Sequence, residues 1–255
     1  MKTYLLLLIS LTAMAVTPNK MQTEKALGDG RGFAVLELFT SEGCSSCPPA
    51  DELFAKIQRQ TTGKDIFILA YHVDYWDYLG WKDVYSNSDF SKRQLQYGDW
   101  LKISPVYTPQ AIVNGKSQYV GSDETGILHA ISAQLAINPV ASLSIKVSEK
   151  GNLVEVEYLT SHVANESRVL IALIQKTAQS KVERGENAGH LLSHVQIVRK
   201  LQSEQLPLSG KGDISVGLPK DFNSQNWEVM ALVQDQGSGE ILAVAKAALK
   251  GPKNQ

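Results

Sequence analysis

The first half of the chain alternates short apolar runs with a segment in which apolar residues recur at helical spacing. Residues 33–40 and 66–71 are continuous apolar runs with β-branched and aromatic side chains, which is typical of buried strands. Between them, the segment 45–60 carries apolar side chains at the spacing of one helix face. A strand, a helix and a second strand at this spacing predict a βαβ unit with a parallel strand pair and a right-handed crossover.

The next segment predicts two further helices and one hairpin. A helix is expected over 89–101. A short strand opened by Thr108-Pro109 turns at Asn114-Gly115 into a second strand, because this dipeptide favours a two-residue hairpin turn. Asp123 is a suitable N-cap for the following helix, which is rich in Ile and Leu.

Beyond Asn138-Pro139 the apolar positions alternate with polar ones. The alternation covers 143–147 and 154–158, and further strand-like runs occur at 168–175, 195–201, 227–234 and 241–248. Because no long helical segment separates these runs, we predict an antiparallel β-sandwich. The expected organisation is an α/β domain at 32–137, followed by a β-rich sandwich domain at 140–250.

The first 15 residues have the three parts of a secretory signal peptide. Lys2 supplies a positive charge, an apolar stretch follows, and Ala13-Met14-Ala15 is a small-x-small cleavage site. We expect cleavage after Ala15 and export to the periplasm or the exterior. A membrane anchor is the alternative, but the run is shorter than the ~20 residues that a spanning helix needs, so no stable membrane insertion is expected after cleavage.

The charge balance and several absent motifs narrow the function classes. The 255 residues carry 25 basic and 26 acidic side chains, a formal net charge of −1. This balance gives no electrostatic footprint for nucleic acid or an anionic membrane, and neither is predicted as a partner. The chain has no Gly-x-Ser-x-Gly elbow, and its spaced glycines at 28, 30 and 32 precede a strand instead of following one. A serine hydrolase and a dinucleotide-binding protein therefore have no support.

Both cysteines of the chain, Cys44 and Cys47, lie in one Cys-Ser-Ser-Cys segment directly after the first predicted strand. A bridge that closes so short a loop contributes only about 1.9 kcal/mol in the chain-entropy model, which argues against a purely stabilising role. An exported protein meets an oxidising compartment, where disulfides persist. Two interpretations remain, a dithiol-disulfide pair that cycles and half of a metal site.

A helix that begins near Cys44 or Ser45 would supply the asymmetry that thiol exchange requires. The free N–H groups and the helix dipole favour a thiolate at Cys44, which is therefore the expected attacking thiol. Cys47 follows one turn later, closer to the interior, and is the expected resolving thiol. The two prolines after it fit the first turn of a helix, where the missing N–H of a proline breaks little or no intrahelical hydrogen bonding.

This order of elements resembles the thioredoxin-like superfamily, in which a Cys-x-x-Cys at a helix start faces a cis-proline. The resemblance implies an α/β thioredoxin-like domain with an insertion at about 74–107. It also implies that Pro109 follows a cis peptide bond from Thr108 and that this strand edge receives the substrate polypeptide. Glu37 precedes the pair by one residue more than the buried acid of thioredoxin, and it is a candidate auxiliary residue.

Four longer segments point to a more specific family. They read LELFTSEGCSSCPPAD, YHVDYWDYLGWKD, VYTPQAIVNG and GENAGHLLSH. They resemble a family of exported bacterial proteins known only as domain of unknown function 1223, and the resemblance covers nearly the whole chain after the signal peptide. It implies a thioredoxin-like domain with a β-rich C-terminal domain, and it brings no established activity.

Other polar residues have both a structural and a functional interpretation. His72 either ends a core strand with a local hydrogen bond or acts beside the cysteines. Asp74 is either a loop acid or a carboxylate that accepts a proton near Cys44. The aromatic side chains at 75–81 either pack internally or form a peptide-binding wall. His190 and His194 are spaced for one helix face, yet no third metal ligand is near, so a turn with a structural polar network is expected.

Together these observations predict an exported thiol-disulfide oxidoreductase that acts on protein or small-molecule thiols and disulfides through Cys44 and Cys47. Disulfide exchange needs no dissociable cofactor, and none is predicted; a separate redox partner must deliver or remove the electrons. One alternative is a non-catalytic binding or assembly module with an incidental disulfide. Another is metal handling, with the two thiolates and His72 as ligands.

Overall fold

The computed structural model of the protein describes residues 32–161 and 166–249, and the predicted signal peptide at 1–15 lies outside them. Within these ranges, three α-helices cover Pro48–Gln60 (α1), Ser88–Leu101 (α2) and Glu124–Leu135 (α3). The strands are Ala34–Thr40 (β1), Ile66–His72 (β2), Gln110–Val113 (β3), Ser117–Val120 (β4), Leu143–Lys150 (β5), Leu153–Thr160 (β6), Ser167–Lys181 (β7), Leu191–Gln205 (β8), Lys211–Gly217 (β9), Trp227–Asp235 (β10) and Ile241–Ala248 (β11).

One large mixed sheet runs through both halves of the chain. Its strand order is β11-β10-β7-β8-β2-β1-β3-β4, and β5, β6 and β9 form a second, three-stranded sheet. Strands β1 and β2 are parallel and joined through α1, whereas β3 lies antiparallel to β1 and forms the expected hairpin with β4. Strand β8 joins the free edge of β2 in parallel, with Ala70 opposite Ile197, and brings β7, β10 and β11 into the same sheet.

The predicted fold class, a thioredoxin-like α/β domain followed by an antiparallel β-sandwich, is therefore wrong. Four of the eight strands of the large sheet, β7, β8, β10 and β11, come from the region expected to form a separate sandwich, because β8 pairs with the edge of β2. The hydrophobic pattern indicates where strands lie but not which edge they join. Strand β10 is buried along almost its whole length, on both faces, as expected of a strand inside a covered sheet.

Helices and the second sheet cover the two faces of the large sheet and fix the position of the cysteine turn. Helices α1 and α3 pack on one face of β1 and β3, where Leu36 and Leu38 belong to their core. Helix α2 packs on the opposite face, with Val35 and Phe39, because successive side chains of a strand point to opposite sides. The three-stranded sheet covers β7, β10 and β11 and encloses a third core around Trp227.

The helix after the cysteines begins later than predicted. Helix α1 starts at Pro48, with Pro49 at its second position and Cys47 as its N-cap. The residues from Cys44 to Ser46 form a turn before the helix, in which the Cys47 amide donates to the Cys44 carbonyl at 3.1 Å. In the described part of the chain no helix is long and apolar enough to cross a bilayer.

Candidate functional site

The cysteine pair lies between the end of β1 and the start of α1. Cys44 and Cys47 form a disulfide across the turn that precedes the helix. The Cys47 carbonyl accepts from the amides of Ala50 and Asp51 at 2.9 and 3.1 Å, which closes the first helical turn. Cys47 is thus the N-cap of α1, at the positive end of the helix dipole, which favours a thiolate, although its side chain makes no cap hydrogen bond.

Neither cysteine has exposed surface, although the two serines between them are exposed. The Ser46 hydroxyl lies 3.3 Å from Cys44 Sγ and 3.5 Å from the Thr108 carbonyl oxygen, so this side chain bridges the pair to the strand opposite. An incoming thiol therefore has to displace surrounding groups before it reaches a sulfur atom.

The segment opposite the disulfide is Thr108-Pro109, and the peptide bond between these residues is cis. Trp76 Nε1 donates to Thr108 Oγ1 at 2.8 Å, which ties this segment to the loop after β2. On its other side, the Gly121 amide donates to the Pro109 carbonyl at 2.8 Å. A Cβ at Gly121 would lie 2.8 Å from the Pro109 Cβ, so only glycine allows this close approach.

A hairpin from the second half of the chain reaches the cysteine turn. Residues 182–190 connect β7 to β8, and we call them the hairpin tip. Asn187, which is buried, donates its side-chain amide to the carbonyls of Glu42 at 2.8 Å and Cys44 at 3.0 Å. Glu186, which is exposed, accepts from the Ser45 amide at 3.0 Å.

Behind the cysteine turn lies a buried cluster of ionisable side chains centred on His194 of β8. Its ring nitrogens lie 3.5 Å from Glu42 Oε1 and 3.5 Å from Asp51 Oδ2, which is the separation of ion pairs. Asp51 also accepts from the Thr40 hydroxyl at 3.0 Å, and Glu42 accepts from Trp81 Nε1 at 2.7 Å. Burial lowers the pKa of His194, but the Asp51 and Glu42 carboxylates outweigh it and raise this pKa to about 10. His194 is therefore an imidazolium at neutral pH.

The cluster continues to a second histidine. His72 Nδ1 lies 2.7 Å from Asp83 Oδ2, and the rings of His72 and His194 meet edge to face with centroids 4.8 Å apart. Burial raises the pKa of Asp83, but the His72 imidazole and the amides of Glu42 and Tyr85 lower it overall. Five buried ionisable groups from both halves of the chain thus support the turn that carries the disulfide.

Comparison with known proteins assigns the chain to a family. A family described as protein of unknown function, DUF1223, matches residues 35–234. The chain belongs to the DUF1223 family. The match includes β1, the cysteine turn, the hairpin tip and β8, so all groups of the candidate site fall inside it.

Solved structures resemble this DUF1223 protein to different degrees. A crystal structure of a protein from Agrobacterium tumefaciens is 28% identical, with a TM-score of 0.65, and the alignment covers 87% of this chain and 96% of that one. A domain of the outer membrane lipoprotein Omp28 from Porphyromonas gingivalis is 14% identical over 43% of this chain and 87% of that one, with a TM-score of only 0.30. Among curated proteins none matches the chain.

Two of the predicted auxiliary residues lie away from the disulfide in this DUF1223 protein. Glu37 is on the α2 face of β1, where Arg93 Nε donates to it at 2.6 Å, and the sheet separates it from α1. Asp74 accepts from the Ser91 hydroxyl at 2.5 Å and so fixes the start of α2. His72 ends β2 with a local hydrogen bond to Asp83, which is the structural interpretation.

The structure adds residues that were not predicted for the site. Glu42 and Asp51 flank the cysteines in sequence, and this closeness of two acidic residues to the pair is the available signal. Asn187 lies 143 positions after Cys44, and only the β7–β8 connection brings it there. The spacing of His190 and His194 suits one helix face, but in the structure His194 is buried behind the cysteine turn whereas His190 is exposed.

Proposed function

We propose that this protein is a thiol-disulfide oxidoreductase that exchanges disulfides with protein or small-molecule thiols through Cys44 and Cys47. The observation that carries the proposal is the position of the disulfide: it closes a turn of sequence separation 3 at the N-terminus of α1, opposite Thr108-Pro109. A bridge of this span stabilises a fold little, so its chemistry is the better reason for its presence.

The proposed exchange proceeds in two balanced steps. A substrate thiolate attacks Cys44 Sγ, a substrate–Cys44 disulfide forms, and the electron pair of the broken S–S bond leaves on Cys47 Sγ, which then takes up a proton. A second substrate thiolate attacks the substrate sulfur, releasing the oxidised substrate and leaving Cys44 reduced. Two thiols are oxidised and one disulfide is reduced, and every step runs equally in reverse. Cys47 is suited to the leaving role because it caps the helix.

The cellular setting belongs to the same proposal. Export to an oxidising compartment fits the signal peptide predicted at 1–15, and disulfides persist in such a compartment. Because exchange only moves electrons between thiols, the protein then requires a separate redox partner. No dissociable cofactor enters the chemistry.

One observation favours a second candidate, the non-catalytic binding module. Both cysteines are fully buried, as expected of an unreactive disulfide that only holds the cysteine turn in place. Metal handling has no such support: His72, its expected third ligand, bonds to Asp83, and within 32–161 and 166–249 no group of three His, Cys, Asp or Glu side chains is arranged for a metal ion.

The deciding experiment is a redox titration of the purified protein across glutathione ratios, with alkylation of free thiols and mass spectrometry of the oxidised fraction. We expect a reduction potential above about −300 mV. Cys44→Ser should abolish exchange, and Cys47→Ser should accumulate mixed disulfides on Cys44. A pair that resists reduction well below about −300 mV would overturn the proposal in favour of the binding module.

A further inference from the structure

The hairpin tip places a negative charge on the backbone amide of Ser45, the residue that directly follows Cys44. Glu186 Oε2 accepts from the Ser45 amide at 3.0 Å. Hydrogen bonding to the Ser45 side chain and to this amide lowers the pKa of Glu186, so the carboxylate is ionised at neutral pH. The side chain itself is exposed.

Asn187 fixes the position of that charge. Its buried side-chain amide donates to both the Glu42 and Cys44 carbonyls, so the residue next to Glu186 is held against the cysteine turn at two points. Glu186 therefore faces Ser45 as part of the folded structure, although its own side chain is open to solvent.

A carboxylate bound to the Ser45 amide disfavours a thiolate at Cys44 or Cys47. A backbone amide that points at a thiolate stabilises it, and reduction of the disulfide creates a thiolate at or near this turn. Glu186 already occupies the Ser45 amide, and its charge repels a thiolate that forms beside it. The disulfide carries no charge and is not repelled, so the carboxylate favours the oxidised form of the pair.

We propose that Glu186 is a positioning residue that shifts the equilibrium of the Cys44–Cys47 pair towards the disulfide. The inference rests on the proposed function, since it concerns the equilibrium of the same pair. It also assigns the second half of the chain a role in the chemistry, because the residue comes from the β7–β8 connection.

The test compares Glu186→Gln with the wild type and with Glu183→Gln. Glutamine keeps an oxygen acceptor for the Ser45 amide and removes only the charge. Glu183 is an exposed carboxylate in the same hairpin tip, so its variant loses the same net charge. The measured quantity is the equilibrium constant of disulfide formation against the glutathione couple, with the dithiothreitol couple as a second reference.

We expect Glu186→Gln to lower this constant roughly two- to fivefold, the range of an exposed charge at a helix terminus, and Glu183→Gln to leave it unchanged. The difference should shrink in 1 M salt, which screens exposed charges but does not alter packing. Equal constants for all three proteins, or equal effects of both variants, would overturn the inference alone. A pair that equilibrates with neither couple would overturn the proposed function and this inference together.

Discussion

Arg93 donates through Nε to the Glu37 carboxylate at 2.6 Å, and both side chains are almost completely buried between β1 and α2. Tyr97 donates to the other carboxylate oxygen, and Gln234 of β10 accepts from Arg93 at 3.1 Å. This network joins elements from both halves of the chain on the face of the sheet opposite the cysteine helix. The network therefore lies away from the disulfide, and we expect it to contribute to stability.

Removing one partner of this pair should cost more than removing both. Arg93→Met or Glu37→Gln alone leaves an uncompensated buried charge, for which we expect a loss of about 3–5 kcal/mol in the free energy of unfolding. The double variant should lose clearly less than the sum of the two, because no lone charge remains. Urea unfolding of the four proteins measures this cycle.

The same variants separate structure from redox chemistry. Because the sheet lies between Glu37 and α1, the folded Glu37→Gln protein should have the reduction potential of the wild type. Strictly additive losses of stability would contradict a coupled pair, and a shifted potential would restore Glu37 to the site.

His194 should make the stability depend on pH. Its pKa in the fold, about 10, lies above its ordinary value of 6.5, so the stabilisation is fully present below pH 6.5 and is lost as the pH rises through 10. Besides Glu42 and Asp51, the rings of His72 and Tyr85 face it.

The measurement compares wild type with His194→Gln, because other groups also titrate in this range. At pH 6.5 the variant leaves Glu42 and Asp51 without their cation, and we expect a deficit of about 3 kcal/mol in the free energy of unfolding. At pH 10.5 the deficit should be much smaller. A deficit that stays constant with pH would mean that His194 is neutral in the fold.

Local pattern and long-range contact differ in how far the sequence predicts them. The elements around the cysteines, the parallel β1–β2 pair and the β3–β4 hairpin follow from apolar runs and turn residues that lie within a few positions of one another. The pairing of β8 with β2 follows from no such signal, since any strand with an apolar face could complete that edge.

The same distinction applies to the site. Cys44 and Cys47 are recognisable from spacing alone, and Glu42 and Asp51 are near enough in sequence to be weighed with them. Asn187 contacts the cysteine turn only because β7 and β8 extend to Lys181 and from Leu191, beyond the predicted strand ends. A period-two pattern does not fix where a long hairpin ends.

A single added methyl group should disturb the contact between the β3–β4 turn and the β10–β11 turn and so lower the stability of the fold. Gly115 has φ of +68°, and a Cβ there would lie 1.9 Å from the Gly239 carbonyl oxygen. This contact joins the β3–β4 turn to the β10–β11 turn, where the Ile241 amide also donates to the Asn114 carbonyl at 2.9 Å. Gly115→Ala should thus displace one turn from the other.

Gly151→Ala is the matched control for this substitution. Gly151 has φ of +61°, but no atom lies within 4 Å of the place that its new methyl group would take, so alanine there costs only the backbone strain of about 1–2 kcal/mol. We expect Gly115→Ala to lose at least about 2 kcal/mol more than this control in chemical denaturation. Equal losses would show that the turns separate without cost.

The hydrogen bond from Trp76 to Thr108 should affect the rate of exchange more than its equilibrium. Trp76 Nε1 lies 2.8 Å from Thr108 Oγ1, and the Thr108 carbonyl faces Ser46 beside the disulfide. Trp76→Phe and Thr108→Val each remove this bond, which is worth about 1 kcal/mol, so either should slow exchange with a substrate thiol by about fivefold if the bond holds the segment for attack. Neither changes a charge near the sulfurs, so the reduction potential should remain that of the wild type.

The double variant should be no slower than either single variant, because both remove the same interaction. Stopped-flow measurement of the reaction with reduced glutathione checks this, and rate losses that multiply in the double variant would show that the two side chains act separately.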